Sequence, residues 1–359
     1  MSRRTLALVF GGRSPEYDVS LVSARGIRDN LDPRAYEVVL VGVDRAGMVR
    51  VGGDELLSGG LDAGAGTPAR WPAAPGDRTL REEGSGRVLS PPIDVAFPIV
   101  HGSGGEDGTL QGVFALAGIP FVGSGVLGSA LAMDKDRARR VLGAEGIPGV
   151  ADVVVAGSEL DDVPAVAARV SGLGWPVFVK PARAGSSVGI TRVERGEDLP
   201  AALAAARAVD GKVVIERAVR DAREIEVAVL GNEFPETTVP GEIVPSRAFY
   251  DYDAKYKDPN SHLLVPAPLA EDLVARVREM AARAFRALDL AGMARVDFLL
   301  SRADGELVLN EVNTLPGFTP ISMYPRLWQQ MGVSYSALLD RLVDLAFDAA
   351  NSSPLAIRG

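Results

Sequence analysis

Apolar runs and polar breaks alternate along the first hundred residues in the order a parallel α/β layer requires. Residues 5–10 (TLALVF) form an apolar run that stops at Gly11-Gly12. Val19, Val22, Ile27 and Leu31 then recur at roughly helical spacing, and 37–43 (EVVLVGV) reads as a second strand. Strand, glycine turn, helix and strand in that order mark a parallel layer. Residues 52–90 are rich in Gly, Ala, Pro and Arg with little periodicity, and should run over the surface around short elements. A strand over 94–100 leads into HGSGGEDGTLQG, then a helix and a short strand at 119–122.

The character changes near residue 124. Helices near 125–131 and 134–145 precede strands at 151–155, 176–181, 187–193 and 212–217, with a helix near 198–208 between the last two. A strand at 224–230, a polar aromatic loop at 245–262 and an amphipathic helix over 271–288 follow. A hairpin and two helices, near 324–331 and 334–349, close the pattern. Three units are expected: 1–123, 124–220 and 221–359. A chain of 359 residues suits two or three cores.

Composition mostly excludes. Lys and Arg number 38 against 47 Asp and Glu, a net charge of −9, which disfavours general nucleic-acid or anionic-membrane binding. The absence of cysteine removes disulfides, thiolate metal sites and cysteine nucleophiles, and two histidines cannot make a histidine-rich metal site. MSRRTLALVFGG reads as a first strand, since its apolar run is too short for a leader. No segment reaches the roughly 20 apolar residues of a membrane span, so a cytoplasmic protein is expected.

The richest chemistry lies in 293–317, MARVDFLLSRADGELVLNEVNTLPG, which reads as a hairpin turning at Asp304-Gly305. Side chains two apart share a face of a strand, so Arg295 and Asp297 point together, as do Glu311 and Asn313. Leu307 and Leu309 are expected on that same face, which argues against a plain solvated ribbon. Asp, Glu and Asn oxygens suit Mg²⁺, usually held by a few carboxylates plus substrate phosphates. The hairpin reads as the catalytic floor of an ATP-using enzyme.

Other segments support that reading. KPARAGSSVG (180–189) joins a lysine to a small loop whose backbone N–H groups and hydroxyls can approach phosphates. It is no P-loop, because no GxxxxGK[ST] precedes a helix. GSGVLG (123–128) fits G-x-G-x-x-G literally, but Glu145 ends a helical run instead of a second strand, so these glycines more naturally shape a domain junction. His101 stands at a strand C-terminus, where α/β proteins place ligands. Lys135 is either a surface lysine or a phosphate contact. Glu16 opens a helix, where the dipole alone favours a carboxylate. FYDYDAKYK (249–257) has the look of a loop that folds over a ligand and excludes water.

Six segments in order carry a resemblance over nearly the whole chain, from FGGRSPEYDVSLVSA at 10–24 to NTLPGFTPISMYP at 313–325. Between them stand HGSGGEDGTLQG, AMDK, FVKPARAGSSVG, the Tyr/Lys loop, ARVDF and LNEVNTLPGFTP. The chain resembles the D-alanine–D-alanine ligase family of the ATP-grasp superfamily. The resemblance implies an ATP-grasp fold of class α/β, an N-terminal parallel layer plus two α+β lobes clasping ATP. It implies ATP-dependent joining of two D-alanines into D-alanyl-D-alanine through an acyl phosphate, for peptidoglycan precursors, in a homodimer with small-molecule substrates only. Lys135 and Lys180 would contact ATP phosphates beneath the loop carrying Ser187, with Glu216 and Glu224 on the adenine and ribose side. Asp297, Glu311 and Asn313 would hold two Mg²⁺, with room for Mn²⁺ in their place and for a monovalent cation nearby. Glu16, Ser186 and Tyr256 would position the first D-alanine's amino group, His101 lying near its carboxylate. Arg295 and the Gly317 N–H would form an oxyanion site, Ser322 and Met323 would meet the second D-alanine, and Lys255 would approach the transferred phosphate.

One position departs from the family. His followed by Glu is usual where this chain has Tyr17 and Asp18; Tyr17 is bulkier and uncharged near neutral pH. If it faces the first substrate's pocket, selectivity there changes. Tyr256 favours an amine nucleophile over a hydroxy acid. The alternatives are another ATP-grasp amino-acid ligase, a D-alanine–D-lactate ligase, or a non-catalytic nucleotide-binding regulator; Arg295 beside Asp297, Glu311 and Asn313 argues against the last.

Overall fold

The structure is a computed structural model and describes residues 3–72, 74–244 and 262–352. Three sheets organise it. The first is built on β1 (Arg4–Gly11), whose side chains are buried almost throughout, as a central parallel strand requires. It pairs in parallel with β2 (Tyr36–Val43) and β6 (Val95–Pro98), and α1 (Tyr17–Asn30) covers one face. The 52–90 region does carry short elements: β3 (Val49–Gly52), β4 (Thr67–Arg70) and β5 (Arg81–Glu82) extend the sheet edge antiparallel. The short strand expected at 119–122 reduces to a bridge between Ala96 and Phe121. Before it runs α2 (Thr109–Ala117).

The second sheet is antiparallel, in the order β7 (Asp152–Ala156), β10 (Lys212–Arg217), β8 (Val177–Pro181), β9 (Thr191–Val193). Val155, Val177, Val179, Val213 and Ile215 face α5 (Val163–Val170) and α6 (Leu199–Arg207) in one apolar core. Strict alternation then sends Asp152, Phe178, Lys180 and Glu216 to the opposite face. Two expectations need correction. The strand placed at 187–193 begins only at Thr191, because Ser186 and Ser187 take positive φ (50° and 59°), which no strand tolerates. Helix α5 was not foreseen; its eight residues carry too few turns to show a period.

The third sheet runs β14 (His262–Leu264), β13 (Gly241–Val244), β11 (Ala222–Gly231), β15 (Gly292–Ser301), β16 (Leu307–Asn313), with β12 (Glu236–Thr237) on the side of β11. One face packs on α7 (Glu271–Ala287) through Val277, Met280, Ala284 and Phe285. The other face divides. Ala228, Leu230 and Met293 join the core of the first sheet, together with α8 (Met323–Gln330) and α9 (Tyr335–Ser352). The polar positions nearer the hairpin remain open to a cleft.

Two helices from the middle of the chain, α3 (Val126–Met133) and α4 (Lys135–Ala144), pack against this third sheet through Ala132, Ala138 and Leu142. The glycines of 123–128 let them approach. A Cβ on Gly128 would lie 2.5 Å from the Asp289 carbonyl, and one on Gly292 would lie 2.9 Å from the Gly123 nitrogen. Glu145 caps the end of α4. These glycines shape a junction, as expected of them.

Candidate active site

The hairpin floor is a charged ladder. Register pairs Glu226 of β11 with Asp297 of β15, and Asp297 with Glu311 of β16. Three carboxylates thus stand across three adjacent strands, where like charges repel. In the next row stand Ala228, Arg295 and Asn313. Arg295 supplies the resident cation: Nε and Nη2 donate to the two Asp297 oxygens at 2.8 and 2.7 Å, and Nε lies 3.1 Å from Glu226. Burial alone would lower the guanidinium pKa, but Asp297 and Glu226 hold it well above the ordinary value. Asn313 Nδ2 donates to Asp297 Oδ2 at 2.9 Å.

The expected position of Leu307 and Leu309 on this face is wrong. The ladder slips between Asp297 and Phe298, so that Leu309 pairs with Phe298 while Glu311 pairs with Asp297. Asn310 is the extra residue of a β-bulge, and one extra residue inverts the parity of a strand. Leu307 and Leu309 therefore enter the α7 core, and Glu311 and Asn313 reach the cleft.

The second wall comes from the central sheet. Lys180 Nζ lies 2.6 Å from Glu216 Oε2, and Lys135, at the start of α4, donates to the Ala184 carbonyl at 2.7 Å. Burial lowers the Lys135 pKa, opposed by Glu311. Burial alone would raise the Glu216 carboxyl, but Lys180 and Arg139 hold it below the ordinary glutamate range. Between them the 182–190 loop carries consecutive left-handed residues at Ser186 and Ser187, costing on the order of 1–3 kcal/mol each. Ser186 Oγ is buried with no hydrogen-bond partner among the described residues, as suits a hydroxyl aimed at a ligand.

The N-terminal layer closes the third side. Glu16 sits at the start of α1, and a Cβ on either Gly102 or Gly185 would come within 3.2 Å of its Oε2. The carboxylate therefore lies between the 101–108 loop and the phosphate loop. Ser14 Oγ donates to the His101 carbonyl at 2.6 Å and fixes that approach. The buried His101 Nδ1 is 3.0 Å from the Leu315 carbonyl and 3.4 Å from Glu106. A carbonyl only accepts, so Nδ1 carries the proton. Burial would push the imidazole down, but Glu106 and Glu16 raise it above the usual histidine value. Glu106→Gln is therefore expected to lower the His101 pKa from its raised value; an NMR titration of the ring protons checks it.

Every described residue implicated by the resemblance lines one cleft of about 1140 Å³. Gly317 packs on Ser322, the N-cap residue of α8, whose Oγ accepts from the Thr319 N–H at 3.0 Å; Met323 follows. Tyr256 and Lys255, with the 249–257 loop, lie outside the described residues. Tyr17 does not face the cleft. It is fully buried on the core side of α1, beneath the Arg45 guanidinium at 4.0 Å, so the departure from the family changes packing. Sequence reasoning missed Glu226, Glu106 and Arg139. For Glu226 the signal was present, because REIEV puts it on the face of Glu224.

Among the described residues no three His, Cys, Asp or Glu converge as a metal cluster. The oxygen set is Asp297, Glu311 and Asn313. It fits Mg²⁺, which typically takes one or two carboxylates and completes its shell with phosphates and water.

Comparison with known proteins agrees with this geometry. Residues 5–124 match the family described as D-ala D-ala ligase N-terminus, and 141–344 match D-ala D-ala ligase C-terminus. The D-alanine--D-alanine ligase of Thermoanaerobacter pseudethanolicus is 49% identical over 355 residues, 98% of each chain. That of Heliobacterium modesticaldum is 46% identical, covering 96% of this chain and 95% of the relative. Among solved structures, the D-alanine-D-alanine ligase from Coxiella burnetii superposes with a TM-score of 0.85 at 33% identity, over 98% of this chain and 96% of the other. VanG D-Ala:D-Ser ligase from Enterococcus faecalis gives 0.85 at 36% identity, over 96% and 100%. With matched models over both halves and near-complete relatives at this identity, the chain belongs to the D-alanine–D-alanine ligase family, on the ATP-grasp fold.

Proposed function

We infer that this cleft joins two D-alanines at the expense of ATP, with the roles of its residues as follows. The observation that carries the reading is convergence: Lys135 and Lys180 under the glycine–serine loop face the Asp297, Glu311 and Asn313 oxygens across one cleft. Lys135 and Lys180 bind the nucleotide phosphates, and Glu216 and Glu224 stand on its adenine and ribose side. Asp297, Glu311 and Asn313 would hold two divalent ions, Mg²⁺ or Mn²⁺, whose charge offsets repulsion between substrate carboxylate and triphosphate. A monovalent cation nearby is part of the same proposal.

Glu16 and Ser186 orient the first D-alanine, with Tyr256 of the 249–257 loop and with His101 near its carboxylate. That carboxylate attacks the γ-phosphorus, forming an acyl phosphate as ADP departs, with Lys255 beside the transferred group. The second D-alanine, held by Ser322 and Met323, attacks the acyl carbon through its neutral amine; the tetrahedral oxyanion then collapses with loss of inorganic phosphate and of a proton from the nitrogen. Arg295 and the Gly317 N–H steady the oxyanion. Glycine and serine over the phosphates keep water from the acyl phosphate.

The chain divides as 1–123, 124–220 and 221–359 in this proposal, with α9 and α3–α4 packing across the divisions. A cytoplasmic homodimer belongs to it by resemblance, and light scattering reads the assembly.

Phosphate release from ATP and Mg²⁺ tests the activity, with D-alanine, D-serine, D-lactate or L-alanine added separately. Release with D-alanine alone and a dipeptide mass is expected. Silence with D-alanine beside turnover with another acid would move the substrate; silence with all of them would favour a regulator.

A further inference from the structure

Asp152 of β7 and Glu216 of β10 are register partners, so two carboxylates face each other directly on the cleft side of the central sheet. Glu216 is almost fully buried, and such pairs repel unless a cation joins them. Arg139 of α4 is that cation: Nη1 donates to Asp152 at 2.8 Å and Nη2 to Glu216 Oε1 at 2.6 Å. The other Glu216 oxygen is held by Lys180 at 2.6 Å. One buried carboxylate is thus shared by two cations, only one of which lines the large cleft.

We propose that Arg139 is a positioning residue for nucleotide binding, which neutralises Glu216 and so leaves the Lys180 ammonium available to the phosphates. Without Arg139, Lys180 is the cation left hydrogen-bonded to Glu216, with Lys135 acting on that carboxylate only through space. The Lys180 charge is then spent within the protein, and drawing it onto a phosphate would strip the buried Glu216 carboxylate of its contact cation. Arg139 does not line the large cleft. It acts through Glu216, and the proposal rests on the assignment of Lys180 to the phosphates.

Calorimetric binding of ADP with Mg²⁺ to the full chain reads it directly. Arg139→Met is expected to weaken binding at least roughly tenfold, the scale of one lost charge-assisted contact. Arg139→Lys should restore most of it. Arg139→Met made on a Glu216→Gln background, where any nucleotide contact of Glu216 is already absent from both proteins, should cost much less than in the wild type, because an amide cannot neutralise Lys180. A merely structural arginine would cost as much on either background. Should Arg139→Met not fold, Arg139→Gln removes the charge and keeps a polar side chain, and is expected to show the same loss and the same dependence on Glu216. Lys180→Met separates the two assignments. Unchanged ADP binding there overturns the role of Lys180. Weakened binding there, with normal binding in Arg139→Met or an equal loss on the Glu216→Gln background, overturns the role of Arg139.

Discussion

Arg295→Ala loses about 10²–10³ in kcat, the cost of removing one donor from an oxyanion site. It is expected to lose stability as well, for a separate reason. The guanidinium is the charge partner of Asp297 and Glu226, both almost fully buried. Stripping one side of a buried ion pair costs about 3–5 kcal/mol, because the anions stay behind. Arg295→Lys divides the two effects. An ammonium still compensates the carboxylates, so most of the stability should return. It cannot form the planar fork now resting on Asp297, so turnover should stay low. Steady-state kinetics beside denaturant melts make the measurement. Near-normal turnover in a folded Arg295→Ala enzyme would remove the arginine from the oxyanion site and leave it an organiser of carboxylates.

The hairpin shows how far alternation alone carries a reading. Arg295, Asp297, Glu311 and Asn313 converge on the cleft, as a period of two requires. Yet Leu307 and Leu309 do not share their face, because parity was counted across Asn310 without a break. A bulge has no strong composition signature here: Asn310 lies inside LVLNEVN, which reads as continuous strand. It becomes visible only once β15 supplies the partner register. The short strands β13 and β14 were missed for a related reason. Their four and three residues take their identity from pairing with β11 and with each other, and not from any local pattern.

Charge partners were less legible still. Glu226 and Arg139 matter through residues distant in sequence, Glu226 through Arg295 and Arg139 through Asp152 and Glu216, while Glu106 acts on nearby His101 and on distant Glu16. On a helix wheel Arg139 is one of several arginines in KDRARR, and its neighbours Arg137 and Arg140 are indeed largely exposed. Only packing tells which arginine turns inward. Glycine told more than charge did. The run at 123–128 sits where α3 must approach the 289–292 turn, a demand on backbone space that sequence can announce without naming the partner.

Asp297→Asn tests the oxygen ladder itself. The aspartate accepts from Arg295 at both oxygens and from Asn313 at one. An amide keeps the size, but it offers one acceptor and turns an NH₂ toward the guanidinium. The Mg²⁺ concentration giving half-maximal phosphate release is expected to rise about 10–100-fold, the scale of losing well-placed metal-site partners. Turnover should fall with it, since the arginine loses its anchor. Stability, by contrast, should hardly suffer. The substitution removes the middle carboxylate of the Glu226, Asp297, Glu311 row, and Arg295 keeps Glu226 at 3.1 Å. Combining the two substitutions then gives losses smaller than additive in both turnover and stability. Residues in direct contact do not add, so the double variant should lose far less turnover than the product of the single losses. It should also be more stable than Arg295→Ala alone, because one stranded anion is gone. Unchanged Mg²⁺ dependence in Asp297→Asn would move the metal off this residue. Additive stability losses in the double variant would mean that Arg295 holds the fold by some contact other than the carboxylate row.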